Sequence, residues 1–136
     1  MSITLHTKTQ TFEIGTSDFF RSFFDSIDYH LTRRFFDKKY PTILGEFQQG
    51  YLTFNNLDKA EKELRLSQKK LDKYNPSELI WDKYNLGKKP PWGDNISKDI
   101  TSLSNYFVTS DGKDLFGVIY EAIEQAKLEQ CDLKIE

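Results

Sequence analysis

"TFEIGTSDFFRSFFDSIDYHL", residues 11–31, carries both halves of the fold in one stretch. Phe12 and Ile14 alternate with polar neighbours, the two-residue period of a half-buried strand. Gly15 closes that run. Thr16 or Ser17 can then accept the free amide hydrogens of a helix starting near Asp18, whose negative charge suits a helix N-terminus. From here the period changes to that of a helix. Phe19, Phe20, Phe23, Phe24, Ile27 and Leu31 recur at helical spacing, so one stripe carries four phenylalanines inward while Arg21, Asp25 and Asp28 lie largely outside it.

Upstream, Ile3 and Leu5 continue the alternation, which fits either one hairpin or one long strand. Downstream, beyond the polar stretch 33–39, Pro41 suits the first turn of a short helix carrying Ile43, Leu44 and Phe47. Gly50 would end that helix in a left-handed conformation. "YLTF" at 51–54 reads as a strand. Asn55 or Asn56 caps a long helix reaching Tyr74, with Leu57, Ala60, Leu64 and Leu71 on its buried side. Asp58 with Lys62, Lys59 with Glu63, and Glu61 with Arg65 are spaced as exposed ion pairs, each contributing about 0.2–0.5 kcal/mol. Pro76 forces the helix to end before it. "ELIW" (78–81) reads as a short buried strand, "NYFVT" (105–109) as a strand ending at a turn through Gly112, residues 113–130 as the last helix, and "DLKI" (132–135) as a returning strand. The expected architecture is a single α+β domain over residues 1–136. In it a small mixed or antiparallel sheet of "TFEI", "ELIW", "NYFVT" and "DLKI" packs against two to three amphipathic helices.

Composition agrees with that picture. A chain of 136 residues can bury a core without disulfides or metals. Its hydrophobic share of 38% is modest, but an aromatic share of 15%, with 11 Phe and 7 Tyr, supplies apolar volume in few residues. Cys131 is the single cysteine, which excludes an intrachain disulfide framework and fits a structural thiol in a reducing compartment. The N-terminal stretch lacks the basic start and apolar run of an export signal, and no 18-residue apolar stretch occurs. The expectation is a cytoplasmic protein with no membrane partner.

Charge is divided by region. Residues 1–58 carry −1 (six basic against seven acidic), residues 59–98 carry +4 (ten against six) and residues 99–136 carry −5 (three against eight). The bland reading is solvated helix faces, and the sharper one is an acidic C-terminal third turned toward a basic partner. Nothing is basic enough to argue for nucleic acid as the partner.

Catalytic motifs are absent: there is no phosphate-binding loop, no GxSxG, no HExxH, no paired cysteines and no Gly-rich dinucleotide turn. No cofactor and no metal is expected. His30 follows Ile27 by three positions on the Phe-rich helix and reads as a partly buried or capping histidine rather than a general base, and His6 is weaker still. Asp25 and Asp28, three apart, read as solvated carboxylates rather than metal ligands. Asp132 and Lys134 form a D-x-K pattern too short to support a nuclease site.

The long irregular stretch from Lys83 to about Ser104 is different in kind, long enough to be a functional loop. Pro90 and Pro91 fix two φ angles and stiffen the approach to Trp92, which meets Gly93. Trp81 with Asp82, and Trp92 with Asp94 and Asn95, pair an aromatic with acidic or amide groups, as protein-binding anchors often do. Two readings stay open: an interface, or core tryptophans with Asp94, Asn95 and Ser97 capping a short helix.

"EIGTSDFFRSFF" (13–24), "ELIWDKYNLGKKPPWGDNIS" (78–97) and "ITSLSNYFVTSDGKDLF" (100–116) together resemble the immunity protein 70 family of bacterial polymorphic toxin systems. The resemblance covers most of the chain. It implies a small cytosolic protein, encoded beside a toxin, that binds and neutralises that toxin and is no enzyme. Within these blocks the residues marked for partner binding, from their chemistry and not from the resemblance, are Asp82, Trp92, Asp94, Asp99, Asp111 and Asp114. If the toxin is a basic nuclease, the acidic segment 99–136 is the natural docking face. Two other classes remain: an adaptor module without a toxin partner, and an enzyme, which would need Asp25, Asp28, His30 or Asp132 gathered in a concave pocket.

Overall fold

The computed structural model describes residues 2–32 and 40–136. The polar stretch 33–39 lies outside them. The opening residues form a hairpin, β1 (Ser2–His6) and β2 (Thr11–Thr16), followed directly by α1 (Ser17–Ile27). The chain goes from strand to helix without a loop because Thr16 stays extended while its hydroxyl accepts the N–H of Phe19 at 3.1 Å. Gly15 makes the junction possible. Its φ is +147°, and a Cβ there would lie 3.2 Å from the Phe19 ring.

Beyond α1 come a π-helical turn (Asp28–Thr32), a second π-helical turn (Thr42–Phe47), β3 (Tyr51–Leu52), α2 (Leu57–Leu71), α3 (Leu115–Glu129) and β4 (Leu133–Ile135). The four strands form one antiparallel sheet in the order β2-β1-β4-β3. Leu5 stands opposite both Phe12 and Ile135, and a register shift between Ile3 and Thr4 bends the hairpin. Gly50, φ +123°, leads into β3, and its carbonyl accepts the N–H of Ile135 at 2.8 Å.

One hydrophobic core joins sheet and helices. Phe23 is fully buried and meets Phe107 and Phe116 edge-on, with ring centroids 5.2 and 5.1 Å away. Edge-to-face pairs of this kind add about 0.5–1.5 kcal/mol beyond area burial. Leu115, Phe116, Ile119, Ala122, Ile123 and Ala126 of α3 close the core from the other side.

The antiparallel sheet and its helices agree with the α+β expectation, but two strands are drawn from other segments. "ELIW" is not a strand. Residues Pro76–Glu78 form a 3-10 turn in which Asn75 and Glu78 bond reciprocally, which turns the chain before Leu79 can pair. "NYFVT" contributes only a single bridge, Val108 to Asp114, because Gly112 (φ +83°) folds the chain back at once. The sheet takes β1 and β3 instead.

α2 stops at Leu71, three residues short of Tyr74. Asn56 holds its N-terminal cap position, yet its side chain donates to Glu46 at 2.9 Å rather than capping. Of the three spaced pairs, Glu61–Arg65 forms at 3.0 Å, whereas Asp58 pairs with Lys127 of α3 at 2.6 Å. Glu63 is buried rather than exposed. Its carboxylate accepts the N–H groups of Thr42 and Ile43, each at 2.9 Å, and so holds the second π-helical turn against α2. Asp25, read as solvated, is also buried.

Candidate partner-binding site

No helix or strand occurs between 79 and 114, so the segment is shaped by turns and by side chains bonding to the main chain. Its lower end is riveted to α2: Asp72 accepts the hydroxyls of Ser102 (3.1 Å) and Ser104 (2.9 Å), and Leu103 donates its N–H to the carbonyl of Tyr74 at 2.9 Å. Asn105 clasps the loop from inside. Its Oδ1 accepts the N–H of Thr101 (3.0 Å), and its Nδ2 donates to the carbonyl of Asp99 (3.1 Å).

Upon this frame the two tryptophans take different roles. Trp81 is buried at 5% exposure, whereas Trp92 keeps 37% of its surface. Their rings meet edge-on at 5.4 Å, and Trp92 also approaches Phe19 of α1 at 6.4 Å. The indole Nε1 donates to the Tyr106 hydroxyl at 2.8 Å. Pro90 is buried just before it, and Gly93 at φ +58° donates its N–H back to the Pro90 carbonyl at 2.9 Å. The prolines and the glycine therefore hold Trp92 in a turn; no short helix follows for Asp94, Asn95 and Ser97 to cap.

Beside the indole lies a groove of about 300 Å³. Phe19, Trp92, Ile96, Ile100, Tyr106 and Val108 give it an apolar lining, with Asn95 and Ser97 as its polar members. Burial pushes the Tyr106 phenol above its ordinary range; the Trp92 N–H works against that, and the nearby Asp94 charge adds to it. A neutral phenol and an apolar wall can receive a hydrophobic group and one hydrogen-bonding group. They supply no nucleophile or base.

The six residues marked for partner binding fall into three groups. Trp92 and the exposed Asp94 stand at the groove. Asp99, also exposed, belongs to the same loop, with its main chain held by Ser97 and Asn105. Asp111 and Asp114 flank the turn before α3, tied to the groove through the Val108–Asp114 bridge. Asp111 accepts the Thr109 hydroxyl and Asp114 caps α3 by accepting the Gly117 N–H at 3.0 Å. Asp82 is separate: it is half-buried and accepts the N–H of Tyr84 at 2.9 Å.

Asp25, Asp28, His30 and Asp132 do not gather in one pocket. Asp25 accepts the N–H of Lys83 at 3.1 Å, and Asp28 pairs with the Lys83 ammonium at 2.7 Å. Desolvation pushes the Asp25 carboxyl up against that N–H and the charges of Lys83 and Arg21. At Asp28 desolvation is outweighed by the Lys83 and Thr32 hydrogen bonds, which hold its carboxyl below the usual range. His30 bonds the carbonyl of Glu78 at 2.6 Å and stacks against Tyr74. Asp132 accepts the Phe54 N–H at 2.7 Å and lines a different recess with His6 and Cys131. Among the described residues no group of His, Cys, Asp and Glu is arranged to hold a metal ion.

Tyr106 and Asn105 shape this site without being singled out by the sequence, and Asp25, read there as solvated, is the buried acceptor that holds the loop at Lys83. Tyr106 falls within "NYFVT", which reads as a strand, and the polar character of Asn105 and Asp25 gives no sign that each bonds the main chain of a turn.

The profile of immunity protein 70 matches residues 5–135, nearly the whole chain. The chain belongs to the immunity protein 70 family. Neither the curated proteins nor the solved structures contain a match to it. Membership makes it an immunity protein directed against a toxin, in a family that is generally non-enzymatic, with a cognate toxin as its partner. Among the described residues no helix is long and apolar enough to cross a membrane.

Proposed function

We propose that this immunity protein neutralises its toxin by direct contact, with the groove beside Trp92 as the centre of the interface and Asp94 and Asp99 at its rim. The observation that carries the reading is the state of Trp92: part of its surface is open while its ring is fixed by Tyr106, Trp81 and Phe19. A rigid aromatic with an exposed edge loses little conformational freedom on binding, which is why tryptophan and tyrosine dominate interface hot spots. Asp111 and Asp114 extend the acidic side toward α3, and Asp82 supports the loop from behind. A basic toxin domain, such as a nuclease, fits this charge, and approach to it would be accelerated by complementary potential. The chain acts without catalysis, in the cytoplasm, on a toxin encoded by the adjacent gene.

Co-expression of the protein with the adjacent gene product in a sensitive host tests this. Restored growth together with a stable 1:1 complex supports neutralisation by binding. Toxicity that persists, with no complex on co-purification, removes the pairing and favours an adaptor role.

A further inference from the structure

The loop ahead of the groove has the opposite charge and a greater exposure. Between Asp82 and Asp94 every charged residue is a lysine: Lys83, Lys88 and Lys89. Tyr84 is 88% exposed and Leu86 53% exposed, the largest and third-largest values among the exposed large hydrophobic residues. Neither packs against the core. The two lie two residues apart on a loop that is fixed at both ends, since it starts from buried Trp81 and returns to buried Pro90.

Its base is clamped to α1. Buried Asp25 accepts the Lys83 N–H at 3.1 Å, while Asp28 takes the Lys83 ammonium at 2.7 Å. That ammonium also lies 5.3 Å from the centre of the Tyr84 ring. Asp82 accepts the Tyr84 N–H at 2.9 Å, and two successive turns follow, Asn85 N–H to Asp82 carbonyl and Lys88 N–H to Asn85 carbonyl, each at 3.0 Å. A buried carboxylate is costly unless its hydrogen-bonding capacity is met, so the Lys83 N–H is held at Asp25 and the turn keeps one shape. Among the described residues no carboxylate pairs with Lys88 or Lys89.

We infer that residues 82–89 form a preshaped docking finger that seats Tyr84 and Leu86 in an apolar recess of the toxin whose rim is acidic, met by Lys88 and Lys89. This rests on the direct-contact reading above and makes the interface two-sided: an acid-rimmed groove and a basic finger, so that a wrong partner carrying one sign of charge is rejected by the other.

Affinity of the purified toxin domain for Tyr84→Ala, Leu86→Ala and the double Lys88→Glu/Lys89→Glu variant tests the finger, with thermal melting as the control. Each alanine variant is expected to bind at least about tenfold more weakly at unchanged melting temperature, because neither side chain contributes to the core. The charge-reversed variant is expected to associate more slowly and to reverse the salt dependence of the finger's contribution. Wild-type affinity in all three variants, with binding still lost in Trp92→Ala, overturns the finger and leaves the groove standing. A wild-type protein that does not bind the toxin at all removes both.

Discussion

Phe23 and Trp92 are both aromatic and both held edge-on by other rings, yet one is closed off from water and the other is not. Phe23 is closed off on every side by Phe107, Phe116 and the α1 neighbours, and carries no polar atom. Trp92 keeps an open edge, and its one polar atom is tied to Tyr106. On the proposed reading, the difference separates stability from recognition. Core aromatics gain by excluding water completely, whereas an interface aromatic must be immobilised while still wet on one side, so that desolvation happens only when a partner arrives.

The sharpest way to break this contrast is Phe23→Ala. It should cost about 3–5 kcal/mol of stability, read by chemical denaturation, since the cavity left among packed rings cannot collapse fully. A loss under about 1 kcal/mol would mean the core is looser than its packing indicates. Trp92→Ala should show the reverse pattern. Toxin affinity should fall about 30-fold, roughly 2 kcal/mol, while the stability lost with its contacts to Trp81, Phe19 and Tyr106 stays smaller than the loss in Phe23→Ala. Glu63→Ala probes a buried polar clamp between these extremes. Losing the acceptor for two N–H groups should destabilise the protein by about 1–3 kcal/mol without directly touching the groove.

The smallest effect depends on acid. Glu129 joins α3 to the β1–β2 turn: against an opposing desolvation, hydrogen bonds from Gln125, Thr7 and Thr9 pull its carboxyl from 4.5 down to about 2. Because the folded value lies below the unfolded one, the stabilisation is complete above about pH 4.5 and is lost as pH falls toward 2. A Glu129→Gln variant should therefore show a flatter decline in melting temperature across that window. Parallel declines for variant and wild type would show that the turn is not held by this carboxylate.

Much of the fold was legible wherever periodicity was long. The Phe stripe of α1, the α3 stripe and the β2 alternation each repeat often enough to reveal a buried face. Short apolar runs misled. "ELIW" and "NYFVT" have strand-like residues, but Asn75 with Glu78 and Gly112 bend the chain before a ladder can form. The groove was legible only in part. The proline pair and Trp92 announced a fixed aromatic, while its partner Tyr106 and the clasp of Asn105 depend on contacts across the loop that carry no local pattern. Charge was hardest to read. At helical spacing Glu63 and Asp25 look like any solvated carboxylate, and only the fold brings Thr42, Ile43 and Lys83 to them.

The most direct test is titration of the purified toxin domain against wild type and Trp92→Ala, each with its denaturation midpoint measured under the same conditions. The account predicts an affinity loss of about 30-fold with a fall in midpoint smaller than that of Phe23→Ala. Equal affinities, or a fall in midpoint as large as that of Phe23→Ala, would contradict it and return Trp92 to the core.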